Sequence, residues 1–251
     1  MARHYSCSAL CDESRSMTRN ARLVVPGLPH HLTHRGNRRE EIFKRLEDYR
    51  VYMRMLRKFL VEVKVRLWAY TLMPNHVHLI TVPCHADSLS KLIHNVHGGY
   101  ADFFNGLYGT VGHLWQGRFF SSVMDEGYLW NAVRYVERNP VRAGLVSRAE
   151  DYEWSSAAAH CGLRDDPLLS NDMPLSPFIT NWSEWLATGD PEDLNSQIRQ
   201  NTALGRPCGS EFFIRGLEHD LGRSILPRKR GPKPKKTPST DSDHGQLNFD
   251  N

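Results

Sequence analysis

The chain predicts an α+β fold of the split-βαβ, ferredoxin-like kind, and three observations carry that expectation. Strand-like and helix-like stretches follow one another as strand, helix, strand, strand, helix, strand between His30 and Asp125. The two middle strands are joined directly by a Pro74-Asn75 turn, which makes them a hairpin. One more amphipathic helix then follows, starting at Glu126 and stopped by Pro140.

Taken in order, residues 1–21 are polar and patternless and are expected to be disordered, with order starting near residue 22. The first strand, His30 to Arg35, ends at the Gly36-Asn37 turn. In EDYRVYMRMLRKFLVEV, Tyr52, Met55, Leu56, Phe59, Leu60 and Val63 share one helical face. KVRLWAYTL and HVHLITV are β-branched and aromatic, as strands require. Leu89, Leu92, Ile93, Val96, Tyr100, Phe103 and Phe104 mark the second helix, followed by a loop holding Gly106, Gly109 and Gly112. RFFSSVMD reads as the fourth strand. On the helix EGYLWNAVRYVERN, Tyr128, Asn131, Tyr135 and Asn139 share one face and Leu129, Val133 and Val136 another. One stripe should pack on the sheet, leaving Tyr135 and Asn139 to point beyond the sheet edge.

DYEWSSAAAHCG and NWSEWLATG predict short helices, and CGSEFFIRGLEHDLG a longer one with Ser210 as its N-cap. The expected organisation is a core domain at 22–160, an acidic and mostly helical accessory region at 161–226, and a basic disordered tail at 227–251.

Charge is segregated along the chain. Residues 1–150 hold 21 Lys and Arg against 13 Asp and Glu, net +8. Residues 151–220 are net −8 and residues 221–251 net +4. A basic front and tail suit a polyanionic partner, whereas the middle does not. No apolar run has the length of a membrane helix and the first 20 residues lack a secretory core, so the protein is expected in the cytoplasm with no membrane partner. Cys7, Cys11, Cys84, Cys161 and Cys208 are an odd, scattered set, expected as free thiols in a reducing compartment.

The stretch TLMPNHVHLI carries the first chemical signal. On a strand, His76 and His78 project from one side while Val77 and Leu79 face the other. Two imidazoles on one spot are either half of a metal shell or an ordinary half-buried strand edge. HHLTH, with His30, His31 and His34, is rejected as a second metal site because nothing rich in cysteine or carboxylate lies nearby in the sequence.

Four linked strings, HLTHRGNRREEIF, AYTLMPNHVHLITVP, GHLWQGRFFSS and AVRYVERNPVRAGLV, closely resemble the REP-associated tyrosine transposases. These belong to the HUH single-strand transposase (IS200-like) superfamily, named for two histidines flanking an apolar residue. The resemblance spans about residues 22 to 160 and implies the HUH endonuclease fold, with a C-terminal catalytic helix. It further implies single-strand DNA cleavage and joining at REP-type hairpins, with Tyr135 as nucleophile, His76 and His78 holding a divalent metal, and Asn139 as third ligand. The substrate would be single-stranded DNA folded as REP palindromes, the protein a monomer or homodimer gathered on the nucleoid by its DNA.

The chemistry is coherent by itself. A phenol with a pKa of about 10 costs roughly 4 kcal/mol to ionise at neutral pH, so a tyrosine nucleophile needs help. A metal can polarise the scissile phosphate and stabilise the leaving oxygen. Two imidazoles, an amide oxygen and waters suit magnesium or, better, manganese. A phosphotyrosine keeps the diester's energy, so no nucleotide cofactor and no phosphate-cradling glycine loop is needed. His113, Trp115, Gln116 and Arg118 are candidates for stacking on unpaired bases and holding phosphate. Arg35, Arg38 and Arg39 are candidates for tracking the backbone. In the tail, Arg228, Lys229 and Arg230 open a segment that resembles an AT-hook but lacks its second arginine, so non-specific phosphate contact is expected there.

Three other readings compete. A sequence-specific DNA-binding regulator would keep the fold without cutting. A rolling-circle initiator or relaxase is disfavoured, since no helicase phosphate loop is present and the tyrosine follows the histidines. A small-molecule metallohydrolase would not require the basic front or tail.

Overall fold

The computed structural model describes residues 22–174, 176, 178–189 and 192–225. Four strands, β1 (His30–Arg35), β2 (Val65–Met73), β3 (His76–Pro83) and β4 (Phe120–Val123), form one sheet in the order β2-β3-β1-β4. Every neighbouring pair is antiparallel. With helices α1 (Leu46–Glu62) and α2 (Ser88–Tyr108) as the crossovers, this is the ferredoxin-like arrangement, and β1 and β3 are its two central strands.

The alternation of residues decides what each face meets. Leu32, Val77, Leu79 and Leu72 are fully buried against α1 and α2. A β-bulge between Leu67 and Ala69 turns both Trp68 and Ala69 to the other face, where Ile80 and Val82 also lie. There they meet Leu129, Val133 and Val136 of α3 (Glu126–Glu137). Each such leucine or isoleucine contributes about 1.5–3 kcal/mol by leaving water.

The helix ends have local causes. Asp48, the third residue of α1, accepts from the backbone N–H groups of Lys44 and Arg45 at 2.8 and 2.9 Å. Gly109 ends α2 in the left-handed region with φ 62°. Gly106, expected in the loop, therefore lies inside α2, because the apolar face of that helix extends to Tyr108. Asp125 caps α3 through the N–H of Tyr128.

Pro140 does not stop α3. The helix breaks at Arg138, and Pro140 sits in the first turn of a short helix α4 (Asn139–Arg142), where its missing N–H costs nothing. Asn139 thus opens α4 instead of ending α3. The fourth strand is shorter than expected and its end is covered by the chain around Cys208, whose N–H bonds the Val123 carbonyl at 2.8 Å.

Downstream lie α5 (Ala157–His160), α6 (Trp182–Ala187), α7 (Glu192–Leu204) and α8 (Glu211–Leu221). Ser210 caps α8 as expected, through the N–H of Phe213. α7 lies in the region expected to be mostly helical, but its apolar face is too thin to mark it out; Asn195, Ile198 and Thr202 are its buried side. It packs against β4, β1 and α3. Among the described residues no helix is long and apolar enough to cross a membrane.

Candidate active site

The face of the sheet under α3 carries the candidate chemistry. In β1, period two turns His31, Thr33 and Arg35 to this face; in β3 it turns His76 and His78. Register then joins the two rows: Thr33 is opposite His78 and Arg35 opposite His76, with His31 diagonal to His78.

His76 follows the hairpin turn, and the turn is braced. The Asn75 carbonyl accepts from Gly36 N–H at 2.8 Å, while its side-chain amide donates to the Arg39 carbonyl at 3.0 Å. That donation fixes which end of the amide is oxygen, so Oδ1 accepts from His76 Nδ1 at 2.6 Å and leaves His76 Nε2 with its lone pair. Gly36 is required by crowding: a Cβ there would lie 2.5 Å from the Glu40 carbonyl and 2.7 Å from Ile42.

His78 is held from the other side. Its Nδ1 lies 2.8 Å from His31 Nε2, and His31 Nδ1 lies 2.9 Å from Thr202 Oγ1 of α7. The two rings are stacked, 5.0 Å apart and 8° from parallel. In the tautomer where both Nδ1 atoms donate, His78 Nε2 also keeps its lone pair. Burial holds His31 and His76 down to about 3, with Arg142 and Arg35 respectively adding to the effect, and pushes His78 well below the ordinary histidine range. All three imidazoles are therefore neutral near pH 7.

Tyr135, on α3, is only 6 % exposed and its ring meets His31 and His78 edge-on at 5.8 and 5.7 Å. It lies over the two central strands, not beyond the sheet edge. The shift from expectation follows from Thr71 Oγ1, which donates to the Val136 carbonyl at 2.8 Å and seats this end of α3 on the sheet. The Arg142 guanidinium lies 4.2 Å from the tyrosine ring centre and donates to the Tyr135 carbonyl at 2.5 Å. Burial raises the phenol pKa, opposed by Arg142, Arg199 and Arg35.

These groups surround one cavity of about 700 Å³, whose walls also include Asn139, Arg39 and Gln116. The neutral donor set of two Nε2 atoms and the Asn139 amide oxygen fits a divalent cation in kind: each imidazole is oriented by a partner on its other nitrogen, as metal-ligating histidines are. Among the described residues no group of three or more His, Cys, Asp or Glu is poised for a metal, and the amides in the cavity wall are those of Asn139 and Gln116.

Of the residues expected at the site, Tyr135, His76, His78, Asn139, Arg35, Arg39 and Gln116 line this cavity. Arg38 and His113 line a separate cavity of about 630 Å³ beside the end of α2. Arg118 is exposed and lines a third, next to the first. Trp115, expected to stack on bases, is a buried anchor: its N–H donates to the His97 carbonyl at 2.9 Å and its ring stacks with both His97 and His34. Arg228, Lys229 and Arg230 lie outside the described residues.

Four participants were not expected: His31, Arg142, Arg199 and Thr202. The HHLTH cluster is divided by its own alternation. His31 joins the cavity, His34 bonds His97 on the opposite face at 2.7 Å, and His30 bonds the Leu28 carbonyl at 2.8 Å. Period two already grouped His31 with Thr33 and Arg35; only register with β3 shows which histidines they join.

Residues 24–139 match the family model described as "Transposase IS200 like". No curated protein matches. Among solved structures, that of a REP-associated tyrosine transposase bound to a REP hairpin is 22 % identical, covering 66 % of this chain and 97 % of that one, with a TM-score of 0.49. A candidate transposase from Deinococcus radiodurans R1 is 20 % identical over 47 % of this chain and 95 % of that one, with a TM-score of 0.34. The segment that matches contains all four strands, both histidines of β3, Tyr135 and Asn139, and over these residues the chain is similar to the IS200-like transposases.

Proposed function

We propose that this protein cuts and rejoins single-stranded DNA at REP-type hairpins through Tyr135. The observation that carries the reading is the placement of a nearly buried tyrosine against two oriented, neutral imidazoles in a cavity lined by arginines. His76 and His78, with Asn139, would hold the cation. A divalent ion bound there, manganese better than magnesium, supplies charge to the phosphate and to the leaving oxygen.

The residues of the chain do the remainder. Arg35, Arg39 and Arg142 neutralise the incoming backbone phosphate and orient it over the histidines. The phenol oxygen of Tyr135 forms a bond to phosphorus, the bond from phosphorus to the 3′ oxygen breaks, the phenolic proton passes to solvent and the departing oxygen takes one up as a 3′-hydroxyl. Arg142, Arg199 and Arg35 favour the phenolate, offsetting part of the cost of burial. The 5′-phosphotyrosine keeps the diester's energy, so attack by another 3′-hydroxyl rejoins the strand without a nucleotide. REP hairpins as the substrate rest on the resemblance of the four sequence motifs. On this reading residues 22–160 are the catalytic domain and 161–226 an accessory region, with α7 lending it to the cavity wall.

The test is incubation with an end-labelled REP hairpin bearing single-stranded flanks, plus manganese, followed by denaturing electrophoresis beside Tyr135→Phe. A covalent protein-DNA adduct in the wild type, absent in the variant, is expected. DNA retarded on a native gel with no cleavage under any divalent metal would overturn the reading in favour of a DNA-binding regulator.

A further inference from the structure

The catalytic cavity does not end at the histidines. A second cavity of about 650 Å³ runs beside β4 and shares Gln116, Phe120, Thr202 and Ala203 with the first, so the two form one continuous groove. Six arginines line the two together, Arg35, Arg39, Arg142 and Arg199 in the first and Arg22 and Arg118 in the second. Among the described residues neither has an Asp or Glu in its wall. Such a wall suits a polyanion.

Phe120 occupies the junction. It is 45 % exposed, whereas the three residues after it in β4 are buried. Among the described residues it belongs to none of the apolar clusters and has no aromatic neighbour, unlike Phe119, whose ring is covered by the Arg22 guanidinium at 3.5 Å. Register fixes where it points. Phe120 pairs with Thr33, which pairs with His78, so the phenylalanine stands on the catalytic face two strands from that histidine. At the spacing of neighbouring strands this is roughly 10 Å.

A solvent-exposed aromatic plane beside a basic groove is how proteins hold unpaired bases, because every base offers a π-face and a duplex keeps those faces stacked on each other. We infer that Phe120 is the stacking platform for an unpaired base adjacent to the scissile phosphate, and that the strand leaves the catalytic cavity along β4 between Arg118 and Arg22. The inference rests on the proposed single-strand cleavage function. It also moves the aromatic contact away from Trp115, whose buried ring is stacked with His97 and His34.

The experiment uses the full chain with Tyr135→Phe, which holds DNA uncut, and a REP hairpin with single-stranded flanks of about ten nucleotides. Each flank base is replaced in turn by 2-aminopurine, and fluorescence and affinity are read with Phe120, Phe120→Leu and Phe120→Ala. At one or two positions, quenching is expected with Phe120 and lost in both variants, with affinity falling roughly tenfold or more. An abasic site at the quenched position should weaken the Phe120 protein to the level of Phe120→Ala and leave that variant unaffected. Phe120→Leu keeps an apolar side chain without the plane, so its loss of quenching separates stacking from packing. Unchanged affinity in both variants, or quenching that survives them, overturns the inference. If the chain with Tyr135 intact cuts this DNA while Phe120 proves indifferent, only the platform falls; if it neither binds nor cuts, the single-strand reading falls with it.

Discussion

Replacing Thr202 by valine removes one oxygen and almost no volume, yet it reaches the centre of the candidate metal site. In the tautomer that leaves His78 Nε2 its lone pair, Thr202 Oγ1 accepts from His31 Nδ1, and His31 Nε2 accepts from His78 Nδ1. All three side chains are nearly buried in the cavity wall, and valine offers no acceptor in place of the hydroxyl. Two relaxations are open to Thr202→Val. His31 can keep its tautomer and leave a buried N–H without a partner, costing about 1–3 kcal/mol. For a chain of this size that lowers the melting temperature by about 2–10 °C. Alternatively His31 moves its proton to Nε2 and donates to His78 Nδ1, which puts the His78 proton on Nε2 and abolishes that lone pair. Stability is then spared and manganese affinity falls by about 10–100-fold, the usual cost of losing an orienting partner. Manganese binding followed by electron paramagnetic resonance, with a thermal melt of the same samples, reads both. A variant with wild-type melting temperature and wild-type manganese affinity would refute the relay.

Two further predictions concern the fold. Burial depresses His30 and His34 to about 4 and His31 and His76 to about 3, so the native state excludes protons that the unfolded chain binds. Stability from these groups is fully present above the ordinary histidine value of about 6.5 and is lost as pH falls from there toward 3. His160 acts in the opposite sense: burial lowers its pKa, but the Glu137 carboxylate 2.6 Å away raises it further. Its contribution is whole below about 6.5 and disappears as pH rises through the raised value. Urea unfolding across pH should show acid loss dominating, and His160→Gln should lose least, relative to wild type, on the alkaline side; a flat profile between pH 7 and pH 5 would contradict this. Gly36→Ala forces a methyl into the Glu40 carbonyl and Ile42 and should destabilise by about 1–3 kcal/mol in a thermal melt; an unchanged melt would mean that the turn after β1 yields freely.

The strand, helix, strand, strand, helix, strand order was legible because each element has its own period, and HVHLITV even showed which residues would face the histidine side. What sequence did not show came from non-local geometry. His31 was visible as a histidine on a strand, but its partner depends on the register of β1 with β3. Thr202 and Arg199 lie on a helix with too few apolar residues to announce itself, held in place by β4 and α3. Trp115 had the composition of a base-stacking residue, and only the packing of His34 and His97 on its ring assigned it to the core. The break at Arg138 was hidden because a proline reads as a stop although it is equally at home in a first turn.

The link from His78 through His31 to Thr202 joins residues far apart along the chain, His31 and Thr202 being separated by 171 positions. The match to the transposase family model ends at Asn139, but the side chains that finish the cavity do not: Arg142, Arg199 and Thr202 all come later. A fragment cut at that boundary would retain Tyr135 and both β3 histidines while lacking the hydroxyl that settles where the His78 proton sits. Its inactivity would then report the missing cavity wall and the missing core residues Tyr152 and Trp154, not a fault in the tyrosine and histidines it retains.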